Sequence, residues 1–268
     1  MIAWFSRKEK QNLHNEKKEG DDFVSLSSHQ LRSPLSIIKW YTEILLDGDA
    51  GDLTEEQRKY LTIIESSNQR AIDLVRSLLN VSRLNLGTFS VSPVEVSITE
   101  VISEAVSFFK KDAARKEVTI RAEEKDGGLK IQADKHLCLL VIKTLLSNAI
   151  AFSKQGGTAT LGTAHVRRGE TVGEMPLEEE SIVISVTDSG IGIPDKDKSK
   201  IFSKLFRASN VKETEGSDSG LGLYVVKTII DYVGGKVWFT STVNVGTTFY
   251  IALPTKGMKK KEGTTTLD

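Results

Sequence analysis

The chain has 268 residues, 39% of them hydrophobic, enough for one large domain or two ordinary ones with a core in each. Lys plus Arg and Asp plus Glu both number 36, so the formal net charge is zero and the totals carry no signature of a nucleic-acid or other polyanion partner. The single cysteine, Cys138, sits among Leu137, Leu139 and Leu140, which excludes an internal disulfide and a thiolate metal site, and no window reaches the roughly 20 apolar residues of a membrane span.

A reducing cytoplasm fits this composition. The opening Met1-Ile2-Ala3-Trp4-Phe5 is too short for a signal-peptide core, and residues 1–21 read as a mostly polar linker. With Arg7, Lys8 and Lys10 behind it, the apolar tip has a second reading as the stump of a membrane exit, which would tether the chain through an upstream segment.

From about Asp22 to Leu46, Phe23, Leu26, Leu31, Leu35, Ile38, Tyr41, Ile44 and Leu45 recur at helical spacing. Gly48-Asp49-Ala50-Gly51-Asp52 breaks this helix, and Thr54 with Gln57 three residues on forms a capping box for a second. Its stripe comprises Tyr60, Leu61, Ile64, Ile72, Val75, Leu78, Leu79 and Leu86, and Gly87 is its C-terminal stop. An isolated hairpin leaves part of each apolar face in water, so residues 22–87 are expected to dimerise into a four-helix bundle.

A second domain is expected over residues 88–255. Phe89 to Val96 alternates like a strand, Ile98 to Lys116 is helical, and Val118 to Ala122 and Leu129 to Ile131 are short strands. A helix follows over Asp134 to Phe152, then strands at Ile182 to Val186, Val237 to Thr242 and Thr248 to Leu253. Helices and strands mix without strict alternation, which predicts an α/β sandwich. The Lys-rich tail, 256–268, is expected to be disordered.

Two constellations carry chemistry. In Ser28-His29-Gln30-Leu31-Arg32-Ser33-Pro34-Leu35 an imidazole lies mid-helix. A lone helical histidine is ordinarily structural, but Pro34 removes a backbone bond and bends the helix, and a neutral imidazole beside a bend is an accessible nucleophile. The other histidines, His14, His136 and His165, lack companions at metal-ligand spacing.

The second constellation has three parts: Asn148 on a helix, Asp188-Ser189-Gly190-Ile191-Gly192 directly after a strand, and Ser219-Gly220-Leu221-Gly222-Leu223 before another helix. The last places free backbone N–H groups where phosphate binds. No Gly-Lys-Ser or Gly-Lys-Thr P-loop and no strand-led Gly-X-Gly-X-X-Gly is present. The residues by themselves therefore define a phosphate-binding α/β domain.

These segments resemble, in order, the boxes of sensor histidine kinases: Ser28 to Leu35 the H box, Leu145 to Phe152 the N box, Asp188 to Ile193 the G1 box, Ile201 to Phe206 the F box and Ser219 to Leu223 the G2 box. The resemblance spans about Phe23 to Pro254 and implies a Bergerat-type ATP site of the kind found in gyrase and heat-shock chaperones. It implies that ATP phosphorylates His29, that Gln30 orients the imidazole, and that the phosphoryl group passes to an aspartate of a response regulator receiver domain. It further implies that Asp188 accepts from the adenine amino group with Thr247 nearby, that Asn148 holds Mg²⁺, and that Gly190 and Gly192 border the adenine. Gly220, Leu221 and Gly222 would border the phosphates, and residues from about Pro194 to Asp218 would form a mobile lid.

The chain also departs from the family pattern. Gln30 replaces the usual acid, Thr144 the first Asn of the N box, Ala151 a basic residue and Asp218 the first Gly of the G2 box. Lys154 is the candidate to restore the lost positive charge, and Ser33 stands where a residue commonly assists dephosphorylation of the partner. The departures leave two rival readings: a dimeric docking scaffold with a weakened ATP site, and an ATP-driven conformational switch like the chaperones.

Overall fold

The structure is a computed structural model; it describes residues 30, 32–124, 128–211, 219–263 and 265–267. It divides into two compact units, one of residues 1–89 with 264–268 and one of residues 90–263.

The first unit is a helical hairpin. Helix α1 runs across Pro34 over residues 32–47, and α2 spans Glu55–Leu86. The α2 N-terminus has the reciprocal capping box read from the sequence: Gln57 N–H donates to Thr54 Oγ1 (3.2 Å) and Thr54 N–H to Gln57 Oε1 (2.9 Å). Gly87, left-handed at φ 64°, closes it and returns its N–H to the last carbonyls. The arms are tied by polar bonds, Asn68 Nδ2 to the Leu35 carbonyl (2.9 Å) and Arg58 Nη1 to the Leu46 carbonyl (3.1 Å). Much of the apolar stripe stays in water: Ile38, Tyr41, Tyr60, Ile64 and Leu78 are exposed, and Trp40 is 59% accessible. The segment outside the described residues includes His29 and Leu31.

The second unit is a mixed sheet with helices on one face. Its strands are β1 (Val94–Ser97), β2 (Thr119–Glu124), β3 (Lys130–Ala133), β4 (Thr158–Val166), β5 (Thr171–Val172), β6 (Met175–Pro176), β7 (Ser181–Asp188), β8 (Lys236–Thr242) and β9 (Gly246–Pro254). The main sheet has the order β2-β4-β7-β9-β8, with only β2 and β4 parallel. Helices α3 (Ile98–Arg115), α4 (Lys135–Phe152) and α6 (Gly222–Tyr232) supply the opposing layer, and a short α5 (Asp195–Lys198) lies between. Helix α4 is apolar because it is the central core helix: Leu137, Val141, Ile142, Leu145, Leu146 and Ile150 are all buried, and it meets α3, α6, β4 and β7. The hairpin β5–β6 covers the opposite sheet face, where Leu177, Val183 and Trp238 form a second core. The Trp238 ring stacks on Tyr250 and its Nε1–H donates to the Val172 carbonyl (3.2 Å).

Three expectations change. The strand expected from Phe89 is short: only Val94–Ser97 pairs as a strand, with isolated bridges at Phe89 and Val91. Strand β4, which lies between β2 and β7, is not among the expected strands. Its buried positions are Ala159, Leu161, Thr163 and Val166, of which two are small or polar, and a Cβ on Gly162 would stand 2.6 Å from Ser185 Oγ.

The tail is the third, because its described residues are ordered rather than disordered. Met258 is buried and donates to the Gln132 carbonyl, Lys261 bridges Val91, and its ammonium donates to the Tyr232 carbonyl (2.6 Å) over that ring. In the first unit Leu267 is buried and Thr265 bridges Phe89. Lysine-rich composition hides the two apolar anchors, Met258 in the second unit and Leu267 in the first.

Candidate nucleotide-binding site

Asp188 is the last residue of β7, and the register sets it opposite Thr247 near the start of β9 and opposite Ala159 on β4. The residue is only 7% accessible, and its Oδ1 accepts from Gly190 N–H (2.9 Å) and Thr247 N–H (3.3 Å). Burial pushes this carboxyl up from 3.8 to about 6, against the pull of those two donors. The Thr247 hydroxyl meets Ser241 Oγ (2.9 Å), which in turn accepts from Ile193 N–H (2.8 Å) and so ties the loop after β7 to β8 and β9.

This loop borders a cleft of about 600 Å³, its solvent mouth included. Asn148 and Phe152 of α4, Asp188, Ile191, Gly192, Thr247 and Phe249 line it, with Leu223 of α6. Ile201, Phe206, Arg207, Ala208 and Val211 form the remaining wall. Phe202 fastens that wall to the sheet, edge-on to Phe239 (5.8 Å between centroids) and Phe249 (6.4 Å). The cleft combines a buried acceptor, flat apolar flanks and an amide, which suits a heteroaromatic base with an exocyclic amine.

The glycines divide by role. Gly192 lines the cleft at φ 64°, and a Cβ there would meet the Thr242 carbonyl at 2.2 Å. Gly190 is not a lining residue; its missing Cβ admits the Phe152 carbonyl, which would otherwise lie 2.2 Å away. Gly190 thus has a packing role behind Asp188. Gly220 (φ 68°) lets its turn press on the backbone of Leu205 and Phe206. Leu221 caps α6 without a side-chain cap bond, its own N–H donates to Ser219 Oγ (3.3 Å), and Gly222 is the first helical residue, so this turn sets the N-terminus of α6 beside the cleft residue Leu223.

The other expected residues are placed less favourably. Lys154 does not line the cleft; its ammonium donates to the Asn244 carbonyl (3.2 Å). Thr144 spends its hydroxyl on the Leu140 carbonyl (2.8 Å), and the Ala151 carbonyl accepts from Lys116. Gln30 and Ser33 are exposed on the hairpin, whereas His29 and Asp218 lie outside the described residues. Arg207 was missed, although it directly follows the F box and brings a cation to the cleft wall. Residues 194–211, expected to belong to a mobile lid, are held by Asp197, whose Oδ2 accepts from both the N–H and the hydroxyl of Ser209 (2.7 Å each).

Residues 21–87 match the His Kinase A (phospho-acceptor) domain, and residues 133–257 match the histidine kinase-, DNA gyrase B-, and HSP90-like ATPase domain. These two spans together take in more than half of the chain, which therefore belongs to the histidine kinases and carries their phospho-acceptor and ATPase domains in series. The sensor histidine kinase WalK of Bacillus subtilis is 30% identical over 248 residues, which are 92% of this chain and 38% of WalK. The sensor-like histidine kinase SenX3 of Mycobacterium tuberculosis is 30% identical over 233 residues, 87% of this chain and 53% of SenX3. The chain thus spans roughly 40–50% of the length of these curated relatives. Among solved structures, full-length ShkA in complex with AMPPNP shares the fold with a TM-score of 0.68 at 22% identity, over 90% of this chain and 47% of ShkA. Histidine kinase ThkA in complex with response regulator protein TrrA does so with a TM-score of 0.59 at 22% identity, over 94% of this chain and 66% of that one.

Proposed function

We propose that the chain is an ATP-dependent protein histidine kinase that phosphorylates His29 and passes the phosphoryl group to an aspartate of a response regulator. The observation that carries this reading is the convergence of Asn148, Asp188 and Thr247 on one cleft, in a chain that also bears a phospho-acceptor domain. The buried Asp188 carboxylate would accept from the adenine amino group, and the Leu221–Gly222 turn would meet the phosphates.

Magnesium fits the donor set as a companion of the nucleotide. Among the described residues no cluster of His, Cys, Asp and Glu forms a metal cage, whereas the amide oxygen of Asn148 is a hard ligand on the cleft wall. An ion held by one such oxygen takes its other ligands from phosphate and water, and it would offset charge on the triphosphate.

The chain would act as a homodimer. Ile38, Tyr41, Tyr60, Ile64 and Leu78 leave an apolar face uncovered on the hairpin, and a second copy covers it with the same residues.

A docking scaffold with a weakened ATP site is the second reading, favoured by the diversion of Thr144 and Lys154 to backbone carbonyls. Incubation with γ-labelled ATP decides between them. The kinase reading requires label in the full chain, none in His29→Ala, and a product labile to acid and stable to base, as a phosphoramidate is. Label that persists in His29→Ala, or an acid-stable ester, overturns it.

A further inference from the structure

The side chain of Asn210 joins the two walls of the cleft and lines neither. Asn210 lies between the wall of Phe206, Arg207, Ala208 and Val211 and the loop of Ile191 and Gly192. Its Nδ2 donates to the Gly192 carbonyl at 2.8 Å and, more weakly, to the Ile191 carbonyl at 3.5 Å. Two carbonyls facing one end of the amide fix which end is nitrogen. Oδ1 is buried with no partner among the described residues, and the side chain is held through its donor side.

The surroundings make this bond a lever on the site. On the near side Ser209 is clamped by Asp197, so Asn210 is presented from a fixed turn. On the far side the loop after β7 is pinned by Asn244 N–H to the Ile191 carbonyl (2.9 Å) and by Ile193 N–H to Ser241 Oγ (2.8 Å). Ser241 reaches Thr247, whose N–H binds Asp188. Both ends are thus tied by hydrogen bonds of their own, and the amide spans them.

We infer that Asn210 is a positioning residue for the nucleotide, latching the wall over residues 206–211 to the Ile191–Gly192 loop and fixing the width of the cleft. The inference rests on the ATP-site reading above and adds to it a residue that touches no ligand. Replacing Asn210 with Asp keeps the size but sets a carboxylate against carbonyl oxygens, so the latch opens.

The test is steady-state autophosphorylation of the full chain and of Asn210→Asp, with melting temperatures recorded without and with ATP and Mg²⁺. The expected result is a KM for ATP raised about tenfold, a much smaller fall in kcat, an unchanged melting temperature without nucleotide and a smaller rise with it. Asn210→Gln, which keeps the donor, should recover part of the KM. An unchanged KM overturns the inference. A variant that melts early without nucleotide and loses kcat and KM together also overturns it, since Asn210 is then only structural. Failure of the wild-type chain to bind ATP sinks the ATP-site reading itself, whereas wild-type binding with an indifferent Asn210→Asp sinks this inference alone.

Discussion

Asp188 and Thr247 face each other across the β7–β9 ladder, and the Thr247 N–H donates to the Asp188 carboxylate at 3.3 Å. This bond holds a buried acceptor at the floor of a cleft while leaving its pKa near 6, well above the ordinary carboxylate value of 3.8. The protein keeps there a charge that the fold itself disfavours.

That cost gives a prediction with a defined sign. The folded state holds the Asp188 proton more tightly than the unfolded chain does, so its handicap is absent below pH 3.8, grows between 3.8 and about 6, and is complete above. Its size is on the order of 3 kcal/mol. Asp188→Asn should therefore raise the melting temperature of the nucleotide-free protein at pH 7.5 and much less at pH 4. The same variant should weaken ATP roughly 10- to 100-fold and lose preference for adenine over guanine, since it removes a charge-assisted acceptor. In the wild type, ATP affinity measured by calorimetry should fall as the pH drops through 6.

Asn148 makes a separable prediction. If its amide oxygen ligates the ion, Asn148→Ala should reduce affinity for Mg·ATP by about tenfold or more while scarcely changing the binding of ATP in the presence of chelator. Equal losses in both conditions would mean that Asn148 contacts the nucleotide rather than the metal.

Gly190 and Gly169 offer a matched pair for the packing argument. A Cβ on Gly190 would stand 2.2 Å from the Phe152 carbonyl, whereas Gly169, left-handed at φ 87°, has nothing within 4 Å. Gly169→Ala should cost about 1 kcal/mol through backbone conformation alone. Gly190→Ala should cost about 3 kcal/mol or more, because backbone must move on both sides. Denaturant titration of the two variants measures the difference.

What the sequence revealed and what it hid follow from how each feature is encoded. Helix ends were legible because Thr54, Gln57 and Gly87 act through local backbone bonds. The nearness of Thr247 to Asp188 is legible only through the family resemblance, because it rests on the register of β9 on β7, which no local pattern carries. Strand β4 is hard to recognise because Leu161 and Val166 are its only large apolar residues, with Thr, Ala and Gly at most of the others and Gly162 packed against Ser185. Charge alone points to Lys154 as a substitute cation, but its ammonium donates to the Asn244 carbonyl, and Arg207 is the cation that lines the cleft among the described residues.

The exposed stripe of the hairpin predicts an assembly that breaks cleanly. Ile38→Glu with Ile64→Glu places charges on both helices of the uncovered face, where a second copy would bury them unpaired. Light scattering should change from dimer to monomer while circular dichroism keeps the helical signal. A wild-type chain that stays monomeric at every concentration would remove the four-helix reading.

The final prediction concerns Gln30, exposed and helical beside His29. Attack by a neutral imidazole on the γ-phosphorus develops positive charge on the ring, and the proton on its other nitrogen needs an acceptor. A Gln amide oxygen accepts that bond and fixes the tautomer, but it supplies no negative charge to the imidazolium that forms. Gln30→Glu adds that charge. In an exposed position solvent screens much of the benefit, so autophosphorylation should accelerate about three- to tenfold, with the larger figure equivalent to roughly 1.4 kcal/mol of barrier. The gain should appear in kcat, because Gln30 is not among the residues lining the nucleotide cleft, and leave the KM for ATP nearly unchanged. It should also fade as the introduced carboxylate is protonated near its ordinary range around pH 4. Initial rates with γ-labelled ATP across pH measure all three features, and a variant no faster than the wild type at pH 7.5 would show that the amide already does all that this position requires.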